Sequence, residues 1–171
     1  SDSVEKRIVP ESTKIYDRTG EHLLYEIHGE EKRTIIPFEQ IPDTVKYATI
    51  ALEDQDFYSH HGIKITSIIR SALKDVIRRG AVQGGSTITQ QFIKKALLTD
   101  EKTITRKIKE VILAIEIEQR YDKDEILAMY LNQIPYGSNS YGIEAAAQTF
   151  FNKPAREITL AEAALLASLP N

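Results

Sequence analysis

The chain has 171 residues, 42% of them hydrophobic and 27% charged, with a formal net charge of -3; it can bury one good core, and neither disorder nor a general grip on nucleic acid follows from such a balance. The absence of cysteine removes disulfide scaffolds, thiolate zinc sites and thiol nucleophiles together. The four histidines, His22, His28, His60 and His61, lack the spacing of a transition-metal site, and no window approaches the roughly 20 apolar residues of a bilayer span.

In chain order, the opening SDSVEKR has no apolar run of a signal peptide, so the expectation is a soluble chain or one whose anchor has been cut away. Residues 13–38 alternate apolar positions at Ile15, Leu23, Tyr25, Ile27 and Ile35, with turn signals at Thr19-Gly20 and His28-Gly29. That pattern predicts a short hairpin and a third extended piece. From Pro42-Asp43 the period turns helical, with Val45, Ala48 and Leu52 on one face. The run ITSIIRSALKDVIRR predicts a strongly amphipathic helix ending near Gly80, and a third helix starts near Ser86 or Thr87, where Thr87 and Gln90 have capping-box spacing. The fourth and longest, over TITRKIKEVILAIEIEQRY, is expected to carry Ile104, Ile108, Val111, Ile112 and Ile115 inward. A fifth begins at Asp122, boxed by Glu125, and runs to about Asn132. After the loop QIPYGSNSYG come an Ala-rich helix to Phe151 and a last helix from the Thr159/Glu162 box, whose Leu165, Leu166 and Leu169 would need cover. The expected division is an extended or hairpin element over 1–38 and a helical body over 39–171, mainly α and without internal repeat.

Three segments carry chemistry-bearing residues. In ALEDQDFYSHHG an apolar helix face runs into Glu53, Asp54 and Asp56; this is either a solvated acidic helix end or a carboxylate desolvated and crowded by like charge until it suits a general base. Glu110 follows Arg106 and Lys107 on one helix, a spacing that gives ordinary surface ion pairs or, with Lys94, Lys95 and Lys102 upstream, a basic cluster able to hold a phosphate or pyrophosphate. Gly84-Gly85 before Ser86-Thr87 exposes backbone N–H groups and hydroxyls that suit an anionic or sugar ligand; the Walker spacing is missing, and a loop with an ordinary cap is the alternative.

In order and wording, EDQDFYSHHG, GGSTITQQ, RKIKE, EILAMYLNQIPYG and YGIEAAAQTFF resemble the successive motifs of the peptidoglycan glycosyltransferase domain of class A penicillin-binding proteins, glycosyltransferase family 51, over residues 13–171. The resemblance implies a lysozyme-like helical fold and inverting polymerisation of lipid II into β-1,4-linked glycan strands with release of polyprenyl diphosphate. By motif position Glu53 matches the catalytic base and Glu110 the second essential glutamate, while Ser86, Gln91, Lys94, Arg106 and Lys107 match substrate-binding positions, with Lys102 near them and Thr87, Gln90, Tyr130 and Asn132 grouped around the same cleft. Tyr130 and Asn132 read equally well as a core tyrosine and a helix cap. No all-protein metal cage is visible; magnesium or manganese is expected only with the substrate diphosphate, with Glu110 as its one candidate protein contact. The family further implies lipid II, a nascent glycan strand, a membrane surface and moenomycin-type phosphoglycolipid inhibitors as partners, with no nucleic acid, and an apolar membrane-facing patch expected in 66–82; separately, Gly80, Gly84 and Gly85 would permit a flap over 78–86. The family also implies a site on the outer face of the bacterial cytoplasmic membrane, an N-terminal transmembrane anchor and a following transpeptidase domain. Lys95, Lys64 and Lys102 depart from the family's common Asn, Asp and Arg. A lytic glycan-cleaving enzyme is disfavoured by the basic cluster, and a non-catalytic wall-binding module by retention of both acids.

Overall fold

Pro42 fixes the backbone for a first helical turn, and Asp43 complements its exposed N–H groups; α1 accordingly runs Asp43–Glu53. The computed structural model describes residues 13–16, 23–27, 32–64, 85–96 and 103–170. The helix expected over 65–79, the apolar patch expected in 66–82, most of the expected flap, and Lys102 lie outside the described residues. Beyond α1 come α2 (Ile88–Ala96), α3 (Ile104–Arg120), α4 (Lys123–Gln133), α5 (Ile143–Phe151) and α6 (Leu160–Ala167). Both boxes foreseen at Asp122/Glu125 and Thr159/Glu162 form in full, and Thr103 caps α3 by accepting from the Arg106 N–H at 3.1 Å.

The strands are few. β1 (Thr13–Tyr16) pairs antiparallel with β2 (Leu23–Ile27), Thr13 opposite Ile27, as the alternation predicted. The third piece, β3 (Lys32–Arg33), pairs in parallel with β5 (Ser140–Tyr141), which pairs antiparallel with β4 (Pro135–Gly137). The architecture is therefore mainly helical with two small sheets.

α4 is the centre of the core. Its Ile126, Leu127, Tyr130 and Leu131 are fully buried against Ile88, Phe92 and Ile93 of α2 and against Ile143, Ala146 and Ala147 of α5. Phe57 joins them, while Tyr58 is exposed and donates to Asp124 at 2.8 Å. α1 packs on α6, with Val45 and Thr49 buried and Leu52, expected on the same face, exposed. On α6, Leu166 is buried with Ala163 and Ala167, and Leu165 and Leu169 are exposed.

The inward face of α3 is the reverse of the one expected. Ile104, Ile108, Ile112 and Ile115 are exposed, Ile104 at 82%, whereas Glu110, Ala114 and Ile117 are buried. Periodicity offers two candidate stripes on this helix, and packing selects the one with a small residue and a neutralised charge. Gly62 lies so close to Ala114 that a Cβ there would come within 2.9 Å of the Ala114 carbonyl oxygen, and Glu110 is buried because two cations of its own helix balance it.

Asn132 is not a terminal cap. It lies inside α4, where its side chain accepts the Ile36 N–H at 3.0 Å and donates to the Ile36 and Ala128 carbonyls at 2.9 Å each, pinning the segment before α1. Gly142 backs onto the same residue with φ +83°, and a Cβ would stand 2.4 Å from the Asn132 carbonyl oxygen. Gly142→Ala combines a left-handed backbone with a clash, so a loss of at least about 1 kcal/mol is expected, read as a lowered urea midpoint at unchanged slope.

Candidate active site

Two carboxylates at the end of α1 behave differently because only one is enclosed. Glu53 closes the helix and is half-buried; Asp54, its C-cap, is buried. The Asp54 Oδ2 accepts from the Ile88 N–H at 3.0 Å, at the first turn of α2, and lies 2.8 Å from His60 Nε2; Oδ1 lies 2.7 Å from Lys64 Nζ. The Gly62 N–H donates to His60 Nδ1 at 3.1 Å, which makes Nδ1 the acceptor and places the ring proton on Nε2, facing Asp54. Burial alone would raise the Asp54 pKa, but the hydrogen bonds from His60, Lys64 and the Ile88 N–H outweigh it and hold the carboxyl below its ordinary value. Burial likewise works against a charged Lys64, and its bonds to Asp54 and Asp56 overcome that and raise its pKa.

Asp54 thus joins the end of α1 to the start of α2, and one turn further Gln91 meets Glu53. Gln91 Nε2 donates to Glu53 Oε2 at 2.8 Å, and Gln91 Oε1 accepts from the Tyr130 hydroxyl at 3.2 Å. Burial, then the charges of Glu53 and Asp54, push the Tyr130 phenol well above its ordinary range, so it remains a donor and fixes which end of the Gln91 amide faces Glu53. The second acid sits on α3. Glu110 is 1% exposed and is paired through Oε2 with Arg106 Nη1 at 2.9 Å and through Oε1 with Lys107 Nζ. Lys107 also donates to the Ser86 hydroxyl at 3.3 Å. Two cations share one carboxylate, leaving the cluster net positive.

The structure therefore assembles Glu53, Gln91 and Tyr130 as one group and Ser86, Arg106, Lys107 and Glu110 as another, with Lys94 exposed on α2. Thr87 and Gln90 belong to neither. Both are buried: Gln90 Oε1 accepts the Thr87 N–H, the Gln90 N–H returns to Thr87 Oγ1, and the Thr87 hydroxyl donates to the Gly62 carbonyl at 2.5 Å. They build the cap of α2, as their spacing indicated, and Asn132 is likewise occupied by Ile36. Among the described residues no group of three or more His, Cys, Asp or Glu gathers as for a metal, and Glu110 already faces two cations. Sequence reasoning missed Asp54, His60 and Lys64 as a unit; the one signal was an aspartate immediately beside the matched Glu53. His60 and Lys64 also line an open cleft with Asp56, His61, Ile63 and Ile115.

The chain is similar in sequence to known proteins. Residues 20–171 match the family model described as Transglycosylase. The chain is 45% identical over 168 residues to penicillin-binding protein 1F of Bacillus subtilis and 48% identical over 161 residues to penicillin-binding protein 1A of Aquifex aeolicus, covering 97% and 94% of this chain and 23% and 22% of those proteins. Penicillin-binding protein 2D of Bacillus subtilis is 46% identical over 162 residues. The chain spans less than a quarter of the length of these relatives.

Removing Asp54 leaves a half-buried Lys64 without its enclosed partner and an unpaired N–H at α2. Asp54→Ala is expected to lower stability by about 3–5 kcal/mol. Because the folded pKa of Asp54 is depressed, its contribution is whole above the ordinary 3.8 and is lost as pH falls through the lower folded-state value. The raised Lys64 works in the opposite sense, contributing fully below 10.5 and less as pH rises through its folded value. Denaturant melts of parent and Asp54→Asn between pH 2 and 6 check the acid limb: only the parent should lose this increment.

Proposed function

The chain belongs to the transglycosylase family, and from that premise we propose that it is a peptidoglycan glycosyltransferase, polymerising lipid II into β-1,4-linked glycan with release of polyprenyl diphosphate. The observation that carries this reading is the division of the site into a carboxylate held by neutral donors and a second carboxylate embedded in cations. Displacing an α-linked diphosphate with inversion needs a base for the attacking hydroxyl and positive charge for the leaving group, and these two groups supply one each.

Glu53 takes the proton of the acceptor sugar's 4-hydroxyl as that oxygen attacks the donor's anomeric carbon. Gln91 holds one carboxylate oxygen by donating to it, and Tyr130 holds Gln91, so the base is aimed without an added positive charge that would weaken it. On the other side Lys107, Ser86 and Arg106 receive the diphosphate as its bond to carbon breaks and charge collects on its oxygens. Glu110 orients the two cations rather than attacking the sugar: both of its oxygens are engaged. Lys94, on the exposed side of α2, extends the positive surface toward the substrate, and Lys102 is proposed to do the same from outside the described residues.

A magnesium or manganese ion is proposed only as a companion of the substrate diphosphate, and no step is assigned to it, since the described residues offer it no ligand set. The polyprenyl substrate implies work at the outer face of the cytoplasmic membrane. Among the described residues no helix is long and apolar enough to cross a membrane, so anchoring, like a following transpeptidase domain and binding of moenomycin-type phosphoglycolipids, is a proposal for the longer protein. Glycan cleavage would require a lone dominant acid, and the cationic shell of Glu110 disfavours it.

Labelled lipid II in detergent with magnesium tests the reading. The protein should yield glycan polymer, and Glu53→Gln should lower turnover by at least ~10²-fold, the low end of what a general base contributes. Polymer formation at the parental rate by Glu53→Gln would refute the assignment of the base.

A further inference from the structure

Lys64 takes no part in the chemistry just described, yet it faces the buried carboxylate next to the base. Its Nζ lies 2.7 Å from Asp54 Oδ1 and 3.1 Å from Asp56 Oδ2. His60, the other side chain on Asp54, uses Nδ1 to accept from the Gly62 N–H and faces Asp54 with Nε2. Lys64 is the one Lys or Arg paired with Asp54 among the described residues. Asp54 Oδ2 in turn receives the Ile88 N–H, and Gln91, three residues further along α2, touches Glu53.

We propose that Lys64 is a positioning residue for the transferase reaction: by balancing Asp54 it fixes α2 against the end of α1 and thereby sets the contact between Gln91 and Glu53. The inference rests on the reading of Glu53 as the base and adds to it a residue that touches neither substrate nor reacting atoms. Without the ammonium group, Asp54 is a buried charge without a cation; it either takes a proton or turns toward water. Both responses weaken its hold on the Ile88 N–H. Asp56, the other carboxylate on Lys64, is an anion and cannot replace the lost cation. The raised pKa of Lys64 agrees with a lysine that stays charged for this purpose.

The distinction from a merely stabilising lysine lies in which kinetic constant moves. Lys64→Met keeps the stem and removes the charge; Lys64→Arg keeps the charge. In the lipid II assay Lys64→Met should lower kcat by about 10- to 100-fold, the scale of a misplaced catalytic group, with KM within about twofold because Ser86, Arg106 and Lys107 are untouched. Lys64→Arg should keep kcat within about threefold of the parent. A folded Lys64→Met with parental kcat, or one in which only KM rises, overturns the proposal. If Lys64→Met does not fold by circular dichroism, Lys64→Arg decides: retained kcat upholds the charge requirement, and a loss exceeding about tenfold overturns it. Glu53→Gln is measured alongside. Parental polymer that disappears in Glu53→Gln sustains the base whatever Lys64 does, and a parent without polymer overturns both readings.

Discussion

The buried carboxylate of Asp54 is the constraint on which the site depends. A single aspartate, enclosed by protein, draws in three pieces of chain: Oδ2 takes hydrogen bonds from His60 and from the N-terminus of α2, while Oδ1, on the α1 end, meets Lys64 as an ion pair. Breaking such a set is costly because the Ile88 N–H left behind is fully buried and cannot turn to water. Local rigidity at Glu53 is therefore a consequence of the residue after it.

From that junction the two halves of the chemistry separate. α2 hands Gln91 to Glu53 at its polar side while burying Ile88, Phe92 and Ile93 in the core, so one helix both closes the core and holds the carboxylate proposed as the base. It is tied to α3 and α4 by Glu118, which accepts from Thr89 at 2.5 Å and pairs with Lys123 at 2.7 Å. α3 then presents Glu110 with its cations. Burying that acid requires charge balance, and the same cations that allow its burial form the surface on which a leaving diphosphate can settle. Structural and proposed catalytic demands coincide there: neutralisation lets the acid be buried, and the excess of positive charge is what the proposed leaving group would meet.

Much of this was legible in the sequence where a local rule operates. The cap pairs Asp122/Glu125 and Thr159/Glu162, the Pro42 start and the Thr87/Gln90 spacing depend on residues within one turn, and each appears where the spacing put it. The hairpin of β1 and β2 is equally local. What depends on distant partners was not legible. The isoleucines of α3 form as good an apolar stripe as any, but the inward face was decided by Gly62 fitting over Ala114 and by the ion pairs of Glu110, neither of which a periodicity contains. Asn132 looked like a helix end, and its true partner, Ile36, lies 96 residues away. Glu53 and Glu110 were singled out by motif and chemistry together, whereas the Asp54, His60 and Lys64 unit emerged only when folding brought the α2 N-terminus to Asp54. Leu52 and Leu165 show the same limit on a smaller scale: an apolar residue beside the buried face of a helix need not share it.

The most direct test of the two-sided site is a crystal structure of the protein with a non-hydrolysable lipid II analogue. The account predicts diphosphate oxygens within hydrogen-bond distance of Lys107, Arg106 and Ser86, with the anomeric carbon on the side of Glu53 held by Gln91. A diphosphate seated away from the Glu110 cluster, or a sugar lodged in the cleft of His61, Ile63 and Ile115 with Glu53 out of reach, would contradict it.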